Sequence, residues 1–283
     1  MKQECYFCQI KGVERLIAKS EVEDQVAEEF IYCVHKLIGA NMDSANAKLS
    51  AEVHRLARHH FNNENLYAKE KLSANSLLLK QYDRWKTIVR QSNNPFATAA
   101  KLAVIGNIID YGAHCVSEDI SAQIQELFQQ ELTIDMTAKL QNEIYKAKNI
   151  LYLGDNCGEI VFDKLFIEMM NHPNVTFAVR GAPVINDITL ADARQVGMDQ
   201  VCRVISNGAD APSTLLELCS DTFVEAYQKA DLIISKGQGN FEGLMYNDHP
   251  NTFFMLIAKC DPMAEVLGVH KYDMVVTLSL IHI

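Results

Sequence analysis

No stretch of the sequence is apolar for long enough to span a bilayer, and no apolar h-region follows Met1-Lys2-Gln3-Glu4-Cys5. A membrane span and a secretory leader are therefore not expected, and a cytoplasmic protein is. Cysteine pairs are nearly absent: of eight cysteines, only Cys5 and Cys8 stand close together. That spacing suits a reduced protein and not a disulfide scaffold. Neither the glycine fingerprint of dinucleotide sites nor the phosphate loop of nucleoside triphosphatases occurs. Internal repeats and low-complexity segments are missing as well. Basic residues are scarce in the second half, where residues 148–283 hold 9 Lys and Arg against 17 Asp and Glu. With a formal net charge of −10 for the whole chain, a nucleic-acid partner is excluded, because binding to phosphate backbones needs a basic face.

What is present is ample apolar material, 48% of 283 residues, enough for a large core. Through residue 147 the hydrophobic period is helical. Segments 22–38, 44–61, 66–89, 96–111, 119–131 and 135–147 read as helices, and no strand is evident. Asn94-Pro95 marks a helix start, since Pro suits the first turn. From Asn149 short apolar runs alternate with helical ones. Strands are expected at 150–153, 175–179, 203–206, 232–235, 252–257 and 274–277, with helices at 159–170, 190–196, 213–229, 241–246 and 263–267. The alternation predicts an α/β protein with a mostly parallel sheet and helices on both faces. It divides the chain into a helical part, 1–147, and an α/β part, 148–283, joined without a long linker. The end, Leu278-Ser279-Leu280-Ile281-His282-Ile283, matches a translated transposon-end sequencing adapter and is expected to be a non-native tail.

Chemistry concentrates at the strand ends. The first strand stops at Gly154-Asp155-Asn156-Cys157-Gly158-Glu159, the second at Arg180-Gly181 before Asn186-Asp187, the third at Ser206-Asn207-Gly208, and the fourth at Lys236-Gly237-Gln238-Gly239-Asn240. Parallel connectivity puts all four on one sheet edge, where ligands bind in open α/β folds. Asp155 and Asn156 offer oxygen ligands suited to a hard cation such as Mg²⁺ or Mn²⁺. Asp187 serves as a helix-start residue or as a third oxygen ligand. Asp192, one turn on, is exposed or supports the ligands from behind. Gly237 and Gly239 allow backbone N–H groups to approach an anion, and Lys236 adds a point charge. In the helical part Asn107 and Asp110 lie three apart, on one face of an apolar helix. They are either a buried polar pair or a patch on the cleft. Cys5-x-x-Cys8 has no second pair to complete a zinc site. His54, His59 and His60 read as solvated, and Cys157 as a packed thiol.

Four motifs in order resemble the damage-control phosphatase family: Asp-Asn-x-Gly-Glu, Arg-Gly-x-Pro-x-x-Asn-Asp, Lys-Gly-x-Gly-Asn-Phe-Glu and Gly-Asn-Ile-Ile-Asp. The resemblance runs from Cys5 to about Thr277 and is nearest to stand-alone prokaryotic members, which share the N-terminal Cys-x-x-Cys. It implies a Rossmann-like α/β domain under a helical part. It also implies a divalent metal (Mn²⁺, Co²⁺, Ni²⁺ or Mg²⁺) held by Asp155, Asn156 and Asp187, and hydrolysis of a small phosphorylated metabolite. On that reading Lys236, Gly237 and Gly239 hold phosphate oxygens, Arg180 assists, and Asn107 and Asp110 line the substrate side. One eukaryotic branch was assigned carboxyl methyltransferase activity; the chain departs from it in carrying Ser-Lys-Gly-x-Gly in place of Arg-Thr-x-Lys. Two other functions remain at this point. An S-adenosylmethionine-dependent methyltransferase would need a glycine-rich loop after the first strand and an acid ending the second. A non-catalytic metal or phosphometabolite module would bind without turnover.

Overall fold

The computed structural model describes residues 2–109, 119–247, 249 and 251–279. Asp110 lies outside them. The first half supplies helices α1 (Gln3–Ser20), α2 (Asp24–Ala40), α3 (Asn46–His60), α4 (Ala68–Leu79), α5 (Tyr82–Gln91), α6 (Pro95–Gly106), α7 (Ile120–Gln129) and α8 (Thr137–Lys146). Local chemistry sets several starts. Asn94 Oδ1 accepts from Ala97 N at 3.1 Å with Pro95 in the first turn, and Asp119 Oδ1 accepts from Ala122 N at 2.9 Å, each satisfying an orphan helix donor. The helix expected over 66–89 is two. The chain turns at Lys80 and Gln81, and Trp85 then packs edge-on against Phe128 and Phe162 with centroids 5.4 and 5.8 Å away.

The second half alternates as expected: β2 (Ile150–Leu153), α9 (Glu159–Met170), β3 (Val175–Val179), α10 (Leu190–Gln195), β4 (Arg203–Ser206), α11 (Asp221–Lys229), β5 (Leu232–Lys236), α12 (Gly237–Leu244), β6 (Thr252–Ile257), α13 (Asp261–Leu267) and β7 (Met274–Leu278). The first half also holds a strand, β1 (Ile134–Asp135), which pairs parallel with β7. Two residues are too few for an alternating pattern to show. The helix expected from 213 begins only at Asp221, because Ser213 and Thr214 bond instead to α12: Ser213 Oγ donates to Gly239 O at 2.7 Å and Thr214 Oγ1 to Asn240 Oδ1 at 2.8 Å.

The sheet runs β1-β7-β6-β5-β2-β3-β4. Strands β2 to β6 are mutually parallel, and β7 is antiparallel to β6. β2, β5 and β6 are buried along their whole lengths, as strands covered on both faces must be. On one face Ile150, Tyr152, Phe177 and Ile234 pack with Phe162 and Phe166 of α9 and Ala103 of α6. On the other, Leu151, Leu153, Ile233 and Phe254 pack with Phe223 of α11 and Phe241 of α12. Helices α1 to α3 close a separate core around Phe30, Val34, Leu49 and Val53. Strand order reverses between β2 and β5, and this switch point puts their carboxyl ends beside each other. Leu278 keeps register opposite Phe253, and Ser279 N donates to Thr252 O at 2.8 Å.

Candidate active site

Two loops are zipped together at the switch point. Cys157 N donates to Asn186 O at 2.8 Å and Ile188 N to Asp155 O at 2.9 Å, which forms an antiparallel bridge between Asn156 and Asp187. Residues some thirty apart in sequence thus face one another, and all three of Asp155, Asn156 and Asp187 line one pocket. Their loops are tied further by Arg180 N, which donates to Ile188 O at 2.8 Å. Ile185, also on the pocket, has a φ of 45°, a conformation β-branched residues rarely adopt and one concentrated at functional loops.

The surroundings of Asp155 are those in which a nearby cation would be most favourable. Burial pushes its carboxyl well above the ordinary range, and the neighbouring carboxylates Glu159 and Asp187 push it further; Lys259 and Arg180 oppose them. A cation between Asp155 and Asp187 would reverse that cost. The Asn156 amide nitrogen donates to Asp155 Oδ2 at 2.7 Å, so its oxygen is the atom left for a ligand. Two carboxylates and an amide make an all-oxygen set suited to a hard divalent ion completed by water or substrate oxygen. Among the described residues no three His, Cys, Asp or Glu side chains group to hold an ion; the third oxygen of this set belongs to the Asn156 amide.

The supporting residues differ from the sequence reading. Lys236 does not reach the pocket. It is fully buried, donating to Asp163 Oδ1 and Ala103 O, each at 2.7 Å, and to Glu159 Oε1. The reason is strand alternation: Lys236 follows Ile234 onto the α6–α9 face of β5. All three ammonium donors are used. Burial alone would lower its pKa, but Asp163 and Glu159 outweigh that and raise it. Arg180 is likewise buried and does not line the pocket. It donates from Nε to Asp187 Oδ2 at 2.6 Å and from its terminal nitrogens to Asn240 Oδ1 at 3.0 Å and Thr214 Oγ1 at 3.3 Å. Its role is to clamp Asp187 against α12. Asn107 lies behind Asp155: its amide donates to Asp155 Oδ2 and Glu159 Oε2, both at 3.0 Å, and its oxygen accepts from Ile257 N at 3.2 Å. Asn107 is fully buried. Asp192 closes a capping box with Thr189 and pairs with Lys71 at 2.6 Å. Cys157 is buried and packed.

Gly237 opens α12 directly against Asp155, with Gly239 two residues on against Pro212. A Cβ on Gly237 would stand 1.9 Å from Asp155 Oδ2, and one on Gly239 2.3 Å from Pro212 O. The first N–H groups of a helix lack intrahelical partners, and here they begin against Asp155.

The pocket itself has a volume of about 190 Å³. One face of α1 (Glu4, Cys5, Cys8, Gln9, Gly12 and Leu16) forms part of its wall. Gln9 Nε2 ties that helix to α3 by donating to Asn46 O at 3.1 Å and Asn46 Oδ1 at 2.9 Å. Four of the residues that matter escaped the sequence reading. Lys259 follows β6 at the same sheet edge and is the sole Lys or Arg among the described lining residues. The strand-end rule applied to β6 would have found it. Glu159 accepts from Asn107, Asn156 and Lys236 and raises the pKa of Asp155. His54, expected in solvent, is buried on the pocket, and burial and then Arg58 lower its pKa to about 4. Cys260 joins Cys5 and Cys8 on the wall, a grouping that the Cys-x-x-Cys spacing alone does not show.

A family model described as the damage-control phosphatase ARMT1-like domain matches residues 1–275. The chain belongs to the damage-control phosphatase family. A damage-control phosphatase of Pyrococcus horikoshii is 32% identical over 276 residues, covering 96% of this chain and 95% of the relative. Another, from Archaeoglobus fulgidus, is 34% identical over 248 residues, covering 85% of each. The crystal structure of a DUF89 family protein from Pyrococcus horikoshii superposes with a TM-score of 0.89 at 31% identity, covering 99% of both chains. The damage-control phosphatase fold thus spans the helical and the α/β parts together. No described helix is long and apolar enough to cross a membrane.

Proposed function

We propose that this damage-control phosphatase is a divalent-cation-dependent hydrolase of small phosphomonoesters, sugar phosphates or damaged phosphorylated metabolites among them. The observation that carries the reading is the convergence of Asp155, Asn156, Asp187 and Lys259 on one small pocket. The relatives named damage-control phosphatases support it. Asp155, Asn156 and Asp187 would hold the ion, for which Mn²⁺, Co²⁺, Ni²⁺ and Mg²⁺ are the candidates. Such an ion neutralises phosphate charge and lowers the pKa of bound water. Lys259 would neutralise a further phosphate oxygen, taking the part first expected of Lys236, with the N–H groups at Gly237, Gln238 and Gly239 beside it. Asn107, Glu159 and Arg180 keep the two acids in place. Lys236 acts one layer back by neutralising Glu159 and Asp163.

The test is hydrolysis of p-nitrophenyl phosphate by protein stripped with EDTA and then resupplied with Mn²⁺ or Co²⁺. Activity should vanish on stripping, return with the ion, and be absent in Asp155→Ala. Equal hydrolysis by the wild type and the variant would overturn the assignment.

A further inference from the structure

Glu242 stands on the pocket wall, and among the described residues no Lys or Arg forms an ion pair with it. Its hydrogen-bond donors are neutral amides: Gln238 Nε2 at 2.8 Å on Oε1, and Asn46. Gln238 is itself fixed, because its Oε1 accepts from Lys259 N at 2.7 Å. One side chain therefore sets the position of Glu242 relative to Lys259. Glu4 adds a second carboxylate to the same wall, and His54, with a pKa lowered to about 4, is neutral at physiological pH. Among the described residues the pocket thus has one pole that suits an anion and a remaining wall that offers carboxylate, amide and thiol groups but no cation.

We propose that Glu242 is a specificity-determining residue that restricts the enzyme to monoesters carrying a single anionic group and hydroxyl or amino groups elsewhere. The inference rests on the phosphatase reading above and names the substrate class of the same site. The physical basis is that a hydroxyl or ammonium can donate to the Glu242 carboxylate, while a second phosphate or a carboxylate meets like charge in a confined space with no counter-ion. A half-buried carboxylate keeps acceptor capacity beyond its two amide donors, and a substrate that brings no donor to it is disfavoured. Glu242 belongs to the Lys-Gly-x-Gly-Asn-Phe-Glu motif, and the proposal gives that last position a function.

The experiment compares matched esters that differ only in CH₂OH against carboxylate: glycerol 3-phosphate with 3-phosphoglycerate, and glucitol 6-phosphate with 6-phosphogluconate. Phosphate release is followed in Mn²⁺ for the wild type, Glu242→Gln and Glu242→Met. Wild type should prefer the hydroxyl member by at least tenfold in kcat/KM in one pair or both. Both variants should bring that ratio towards one, chiefly by lowering KM for the carboxylate member. A wild-type ratio near one in both pairs, or the wild-type ratio retained by either variant, would overturn the inference. Release of p-nitrophenol from p-nitrophenyl phosphate in the same assay reports on the underlying phosphatase reading separately. Its presence beside an unchanged ratio defeats the specificity role alone, and its absence defeats both.

Discussion

Gly237 and Asp155 are in such close approach that no side chain fits between them. Gly237 has a φ of 79°, and the nearest atom to a Cβ placed on it is Asp155 Oδ2 at 1.9 Å. The glycine at the start of α12 and the acid at the end of β2 are thus one structural unit. Gly237→Ala must displace the carboxylate and also carries backbone strain of about 1–3 kcal/mol. Its expected outcome is a folded protein with at least a hundredfold lower kcat/KM and weakened Mn²⁺ binding, measured by calorimetry on metal-stripped protein. Unchanged metal affinity would count against the role given to Asp155.

Lys259 and Lys236 should separate when replaced. Lys259 lines the pocket, so Lys259→Met should lower kcat/KM by about 10²–10³, as loss of one charge-stabilising donor does. Its urea midpoint should stay near that of the wild type.

Lys236→Met is expected to behave in the opposite sense. It strips the cation from Glu159 and Asp163, both fully buried, and an unpaired buried charge costs about 3–5 kcal/mol. Equilibrium urea unfolding should show that loss. A variant of wild-type stability with only activity lost would return Lys236 to the substrate.

His54 makes stability depend on pH. Burial holds the folded-state pKa at about 4, below the ordinary 6.5, so between those values the unfolded chain binds a proton that the folded chain does not. The contribution is complete above about pH 6.5 and is lost as pH falls towards 4, by up to about 3 kcal/mol at ~1.4 kcal/mol per unit. Urea midpoints taken across that window should fall less steeply for His54→Gln than for the wild type. Parallel slopes would show that His54 is not the titrating group.

The alternation of strands and helices after residue 149, and the polar residues that end each parallel strand, could be read in the chain because both are local patterns. Asp155 and Asn156 were visible for the same reason: an acid and an amide at the end of an apolar run stand out whatever surrounds them. Strand β1 was not visible, since two residues carry no period. The break at Lys80 and Gln81 was hidden because the apolar stripe continues across it.

The sequence by itself determined the fold class, the sheet edge that carries the candidate site, and the oxygen character of the candidate metal ligands, since each follows from periodicity or residue type. Only the tertiary structure decided which charged groups serve the pocket. Lys236 and Lys259 both lie at or just past the carboxyl ends of strands, yet the first turns inward to Glu159 and Asp163 and the second lines the cavity. Which face of the sheet a side chain takes, and what the opposite layer presents there, depends on contacts more than a hundred residues away, such as Ala103 with Lys236. The placement of α1 along the pocket has the same origin, because a helix carries its own period but not the address of the surface that will bury it.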